Sequence, residues 1–135
     1  VDATIKAIDA MKADTVLLLG GKDKGYNYEK LFAALSGSKV VHAILYGENR
    51  FTLLKAARAC DYHAVTLCDG FDFAVRIAAL KAQTGQNVLL SPASASFDEF
   101  ANYEERGEAF VTIVQSLVKK QEENAETEIF EVEVE

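Results

Sequence analysis

Four short apolar runs punctuate the chain, and each is followed by a turn residue and then by apolar residues at helical spacing. The runs are Thr15-Val-Leu-Leu-Leu-Gly20, Lys39-Val-Val-His-Ala-Ile-Leu-Tyr46, Ala64-Val-Thr-Leu-Cys68 and Asn87-Val-Leu-Leu90. Continuous rather than alternating apolar character suits parallel strands covered on both faces. Around them, Ile5, Ile8 and Met11 mark a first helix through residue 12, with Asp2 as its cap, and Tyr28, Leu31, Phe32 and Leu35 mark a second, ended by Gly37. Phe51, Leu54 and Ala57 lead to Cys60, while Phe73, Val75, Ile77, Ala78 and Leu80 form a helix closed by Thr84-Gly85. A last helix over 103–119 carries Phe110, Ile113, Val114 and Leu117. Strand and helix alternate four times with short connections. That pattern predicts an α/β fold: a Rossmann-like three-layer domain over 1–120, with a mostly parallel sheet, core order 3-2-1-4, and helices on both faces.

Residues 121–135 differ in kind. Charged and neutral or apolar residues alternate from Glu126 to Glu135, ending Ile129-Phe-Glu-Val-Glu-Val-Glu. Period two with β-branched residues fits a half-buried edge strand whose glutamates discourage further pairing, and a disordered acidic extension fits the composition equally well. The segment holds seven Glu and no Lys or Arg, so it supplies much of the formal charge of -7. Nucleic acid and anionic membranes select for basic patches, so this balance argues against both as partners.

Half the residues are apolar and there is one proline, which points to a packed core rather than a disordered chain. Two cysteines, Cys60 and Cys68, do not make a disulfide scaffold, although a single bridge between a helix end and a strand end is conceivable; reduced thiols are the simpler expectation. No apolar run approaches membrane-spanning length and no basic leader precedes an apolar stretch, so a cytoplasmic location is expected. The opening Val1-Asp2-Ala3-Thr4 runs straight into a helix, as in an excised domain or a fragment of a longer product.

All four strands end in turn residues on what should be one edge of the sheet: Gly20-Gly21, Gly47-Glu48, Cys68-Asp69-Gly70 and Ser91-Pro92. Proline cannot donate to a ladder, so the chain must leave the sheet at Ser91-Pro92, and the small residues after it can bring N–H groups and hydroxyls close to a ligand. The loop Gly20-Gly-Lys-Asp-Lys-Gly25 joins a strand to a helix, where an anion can meet free N–H groups, but it has neither P-loop nor dinucleotide-binding spacing. Lys24, nearer the helix start, is the better anion contact; a glycine turn with solvated lysines is the alternative. His42 and His63 lack partners at metal-ligand spacing and read as packed or surface residues. Ser91, Ser94 and Ser96 have no nucleophile elbow and no base following them, so they suit donors or turn caps. Asp98-Glu99 and Glu104-Glu105 lie near a helix start and read as caps, with Arg106 either holding one of them or reaching the edge beside Lys24. No catalytic residue and no metal ligand is assigned. This chemistry stops at an anion-accommodating edge, which a non-catalytic small-anion-binding module would share.

The residues Leu90-Ser-Pro-Ala-Ser-Ala-Ser-Phe-Asp-Glu-Phe-Ala-Asn-Tyr-Glu-Glu-Arg-Gly107 closely resemble the signature near the C-terminus of the Mur ligases, in the branch that takes D-glutamate. Ser94 stands where that signature usually has cysteine, and Tyr103 where it has phenylalanine. Asp2-Ala3-Thr4 resembles the segment just beyond the family's Ser-Lys-x-Thr-Asn motif, and Leu19-Gly-Gly-Lys-Asp-Lys-Gly25 resembles its Gly-Gly loop. The resemblance covers residues 1–119. It implies the C-terminal domain of an ATP-dependent amide-bond-forming ligase that adds D-glutamate to UDP-N-acetylmuramoyl-L-alanine in peptidoglycan precursor synthesis. It also implies that ATP and Mg2+ are bound mainly by a central domain, and the UDP-sugar by an N-terminal one, so that the isolated domain is inactive. By position, Ser96 would donate to a D-glutamate carboxylate and Phe97 would supply a backbone N–H or a wall contact. Tyr103, with Asn102 beside it, would position the same ligand, and Lys24 would match the family's substrate-facing lysine. Members that take meso-diaminopimelate or lysine usually carry a different recognition motif, so a ligase for another amino acid is the lesser reading.

Overall fold

The computed structural model describes residues 2–22, 25, 27–83, 85–90, 103–120 and 128–131. The elements are α1 (Asp2–Ala10), β1 (Thr15–Gly20), α2 (Tyr28–Leu35), β2 (Val40–Tyr46), α3 (Arg50–Ala59), β3 (Val65–Leu67), α4 (Phe71–Lys81), β4 (Asn87–Leu90), α5 (Tyr103–Lys120) and β5 (Glu128–Glu131). The strands lie in the order β3-β2-β1-β4-β5, and every neighbouring pair is parallel. The expected core order 3-2-1-4 is therefore the one observed, and Glu128–Glu131 adds a further strand beside β4.

Alternation along the central strand explains the three layers. Leu17 and Leu19 of β1 join a core with Ile8 of α1, Leu31, Phe32 and Leu35 of α2, and Leu53 and Ala57 of α3. Val16 and Leu18 point the other way, into a core with Phe71, Ala74, Val75 and Ala78 of α4 and Phe110 of α5. All six residues of β1 are buried, as a strand covered on both faces requires. The cysteines fall on opposite sides of this sheet: Cys60 packs against the first core and Cys68 belongs to the second. Both are free thiols, because the sheet between them bars a bridge.

Element ends differ from the periodicity by a residue or two. The first helix begins at Asp2 itself and stops at Ala10, where Met11 N–H turns back to the Ile8 carbonyl at 3.1 Å. The third strand is assigned only over Val65–Leu67, yet the Ala64 carbonyl accepts from Ala43 N–H and Cys68 N–H donates to the Leu45 carbonyl, both at 2.9 Å. The ladder thus extends over the whole apolar run. Asn27 caps α2 by accepting from Glu29 N–H at 3.1 Å.

His42 sits near the start of β2, half-buried, with Nε2 2.7 Å from Thr66 Oγ1 on β3. Burial, and secondarily the charge of Lys81, push its imidazole below the ordinary value. The unfolded chain therefore takes up a proton more readily than the folded one, so stability is lost as pH falls through the imidazole range. Thermal melts between neutral pH and about pH 5.5 should show a smaller loss of Tm for His42→Asn than for the parent chain. An identical loss in the two would remove His42 from the acid response.

Candidate functional site

The winding of the sheet reverses between β1 and β4. The chain runs outward from β1 to β2 to β3 on one side and from β4 to β5 on the other. In open parallel sheets such a switch point leaves a crevice at the carboxyl ends of the two central strands, because the connections there diverge to opposite faces. Leu18 lies opposite Leu90, so β1 continues past the end of β4 by Leu19 and Gly20, about 7 Å of strand. The Gly20-Gly21 turn and the last residue of β4, Leu90, consequently lie at the same edge of the sheet.

The geometry of the first turn depends on glycine. Gly20 lies opposite Tyr46 in the ladder and has φ +145, and Gly21 has φ +140. A Cβ on Gly20 would stand 2.0 Å from the Tyr46 carbonyl oxygen, inside the neighbouring backbone. Immediately beyond, Asn49 binds the turn from the next loop. Gly21 N–H donates to Asn49 Oδ1 at 3.0 Å, Asn49 N–H donates to the Gly21 carbonyl at 3.0 Å, and Asn49 Nδ2 donates to the Tyr28 hydroxyl at 3.2 Å. Asn49 is only 2% exposed. Although it occupies the cap position of α3, its side chain makes no capping bond and serves the neighbouring loop instead. Sequence reasoning passed over it. The available signal was a polar amide two residues after the glycine that stops β2, and nothing local indicated that its partners lie 21 and 28 residues away.

Further along the edge, Arg50 donates to the Gly47 carbonyl at 2.8 Å, stacks over the Phe51 ring at 4.8 Å and approaches Asp69 at 4.0 Å. Asp69 is almost fully exposed, so this ion pair is a weak one. The Cys68 thiol is pushed up by burial and then by Asp69, which keeps it protonated and poorly nucleophilic.

Of the residues expected to bind ligand, Lys24, Ser96, Phe97 and Asn102 lie outside the described residues, as do Ser91, Pro92, Ser94, Asp98 and Glu99. Tyr103 is the first residue of α5. Arg106, one turn on, is fully buried and engaged within the fold, whereas Glu104 and Glu105 beside it are exposed. Neither histidine reaches the carboxyl edge. His42 lies opposite Val16 near the amino end of the sheet, and His63 precedes β3, where it contacts Asp61 at 2.7 Å on the surface. The carboxyl edge therefore has no imidazole base from this chain. Among the described residues no group of three or more potential metal ligands occurs. A groove of about 290 Å³ lined by Asn27, Glu29, Thr52 and Lys55 opens between α2 and α3, on the flank of one helix layer rather than at the switch point. No described helix is long and apolar enough to cross a membrane.

Fold and edge together define a doubly wound α/β domain of the kind that receives small ligands at the carboxyl ends of its strands. No protein-family model matches the chain. Curated proteins do match it. The chain is 40% identical over 116 residues to the UDP-N-acetylmuramoylalanine--D-glutamate ligase of Alkaliphilus oremlandii (strain OhILAs), covering 86% of this chain and 25% of that protein. It is 43% identical over 118 residues to the enzyme of the same name from Caldanaerobacter subterraneus subsp. tengcongensis, covering 86% and 26%. It is 38% identical over 120 residues to that of Lactobacillus delbrueckii subsp. bulgaricus, covering 89% and 26%. This chain is a homologue of one segment of these ligases and spans about a quarter of their length. The resemblance read from residues 90–107 is borne out.

Proposed function

We propose that this chain is the C-terminal domain of an ATP-dependent ligase that joins D-glutamate to UDP-N-acetylmuramoyl-L-alanine, and that its carboxyl edge receives D-glutamate. The observation that carries this reading is the identity of about 40% to ligases of that name, on a fold whose β1 and β4 end at the same edge, at the switch point. An amino-acid dianion needs charge-assisted donors. Lys24 from the first loop and Ser96 from the second would supply them, with the Phe97 backbone, Asn102 and Tyr103 shaping the wall. By the same resemblance, ATP and Mg2+ would be held mainly by the part of the ligase outside this chain. The 135-residue chain alone is therefore expected to fold without catalysing, and closure over the rest of the enzyme would exclude water and complete the site.

The test is phosphate release by the full-length protein containing this chain, given UDP-N-acetylmuramoyl-L-alanine, ATP and magnesium, with D-glutamate compared against meso-diaminopimelate and L-lysine. Strong preference for D-glutamate is the expected result. Equal turnover with all three, or none with any, would overturn the assignment.

A further inference from the structure

We infer that Asn49 is a positioning residue for the lysine-bearing loop: one buried amide fastens both ends of residues 22–27 and thereby sets where that loop meets its ligand. The inference rests on the reading of Lys24 as a D-glutamate contact. Its geometry does not. Gly21, the last residue before the loop, is held by two bonds to Asn49, one accepted by its side chain and one donated by its backbone. Tyr28, the first residue of α2 and the first after Asn27, is held by the other end of the same side chain. The amide thus spans the loop's entry and exit. It is itself fixed, because Leu53 N–H donates to the Asn49 carbonyl at 3.0 Å within α3 and the residue is 2% exposed.

This arrangement specifies asparagine. The Oδ1 must accept from an N–H while the Nδ2 donates to a hydroxyl, and both atoms are used. Aspartate retains the acceptor, loses the donor and brings a charge into a buried place, while alanine loses both. The chain between the two anchors bears Lys22 and Lys24, so what holds Gly21 and Tyr28 limits by chain connectivity where the two lysines can reach. Asn49 itself touches no ligand in this account, and acts through the loop.

Two measurements test the inference separately from the function it rests on. The first needs no substrate. Amide hydrogen exchange on the 135-residue chain should show Gly21 N–H protected in the parent and exchanging at least about tenfold faster in Asn49→Ala, while the amides of Leu18 and Ile44 keep their protection. The second uses the full-length ligase. Asn49→Ala should raise KM for D-glutamate by about tenfold with a smaller change in kcat, the size of one misplaced charge-assisted contact. Tyr28→Phe, which releases only the exit, should give a smaller rise in the same direction. In a Lys24→Ala background, Asn49→Ala should add almost nothing, since its effect travels through that lysine. Unchanged exchange at Gly21, or a full additional rise in KM in the Lys24→Ala background, would overturn the positioning role. A parent enzyme indifferent to D-glutamate would instead overturn the function, with the exchange result still deciding whether Asn49 holds the loop.

Discussion

Gly20→Ala is expected to be the most damaging single substitution in the chain. The added methyl would lie 2.0 Å from the Tyr46 carbonyl oxygen, 2.7 Å from its carbonyl carbon and 3.0 Å from its nitrogen, all backbone atoms of the adjacent strand. A flexible side chain could move aside, but a ladder partner cannot without opening β1 from β2. The φ of +145 adds a conformation that L side chains rarely adopt. Relief would require β1 and β2 to part at their carboxyl ends, which also breaks the Asn49 bonds to Gly21. The loss should be about 3–5 kcal/mol, a large share of the roughly 5–15 kcal/mol that holds a domain folded. Gly25→Ala is the matched control. Its φ is +74 but among the described residues nothing lies within 4 Å of the added methyl, so a backbone cost of about 1–2 kcal/mol is expected. Denaturant unfolding of the two variants measures the difference. Equal destabilisation would mean that β1 and β2 do not meet at Gly20 as described.

Ser96→Ala is expected to have the largest effect on ligand binding. In the proposed site its hydroxyl donates to a carboxylate of D-glutamate, and a hydrogen bond to a charged partner contributes roughly 1.5–3 kcal/mol, equivalent to about 10- to 150-fold in affinity. The full-length ligase should therefore show KM for D-glutamate raised by that factor, with KM for ATP nearly unchanged, as the nucleotide site proposed outside this chain requires. Steady-state kinetics with each substrate varied in turn separates the two. An unchanged KM for D-glutamate would remove Ser96 from the site and leave Lys24 as the candidate anion contact.

The fold and the site were legible in the sequence to different degrees. Thr15–Gly20 could be read as an interior strand because six consecutive residues are suited to burial on both faces, and the structure buries all six. The helices were legible from stripes such as Tyr28, Leu31, Phe32 and Leu35, all of which face the core. Arg106 was not legible as a buried group. Local pattern offers this arginine a neighbouring carboxylate or the ligand edge, and only the packing of α5 decides that it is fully buried. Asn49 was missed for the same reason. It looks like an ordinary residue of a strand-to-helix turn, and its two side-chain partners become its neighbours only after β1 and β2 are paired.

The apolar runs and their spacing determined by themselves that strand and helix alternate, that the sheet is parallel and that its turns gather at one edge, because period and polarity are properties of adjacent residues. The signature after the fourth strand determined, by likeness, which ligases the chain is related to. Tertiary structure alone decided that Gly20 must lack a side chain, that Cys60 and Cys68 face opposite layers, that the histidines lie away from the carboxyl edge, and that one amide secures both ends of the lysine loop. Those facts depend on which strands lie side by side and in what register, and register is set by the burial of whole faces rather than by any stretch of sequence read alone.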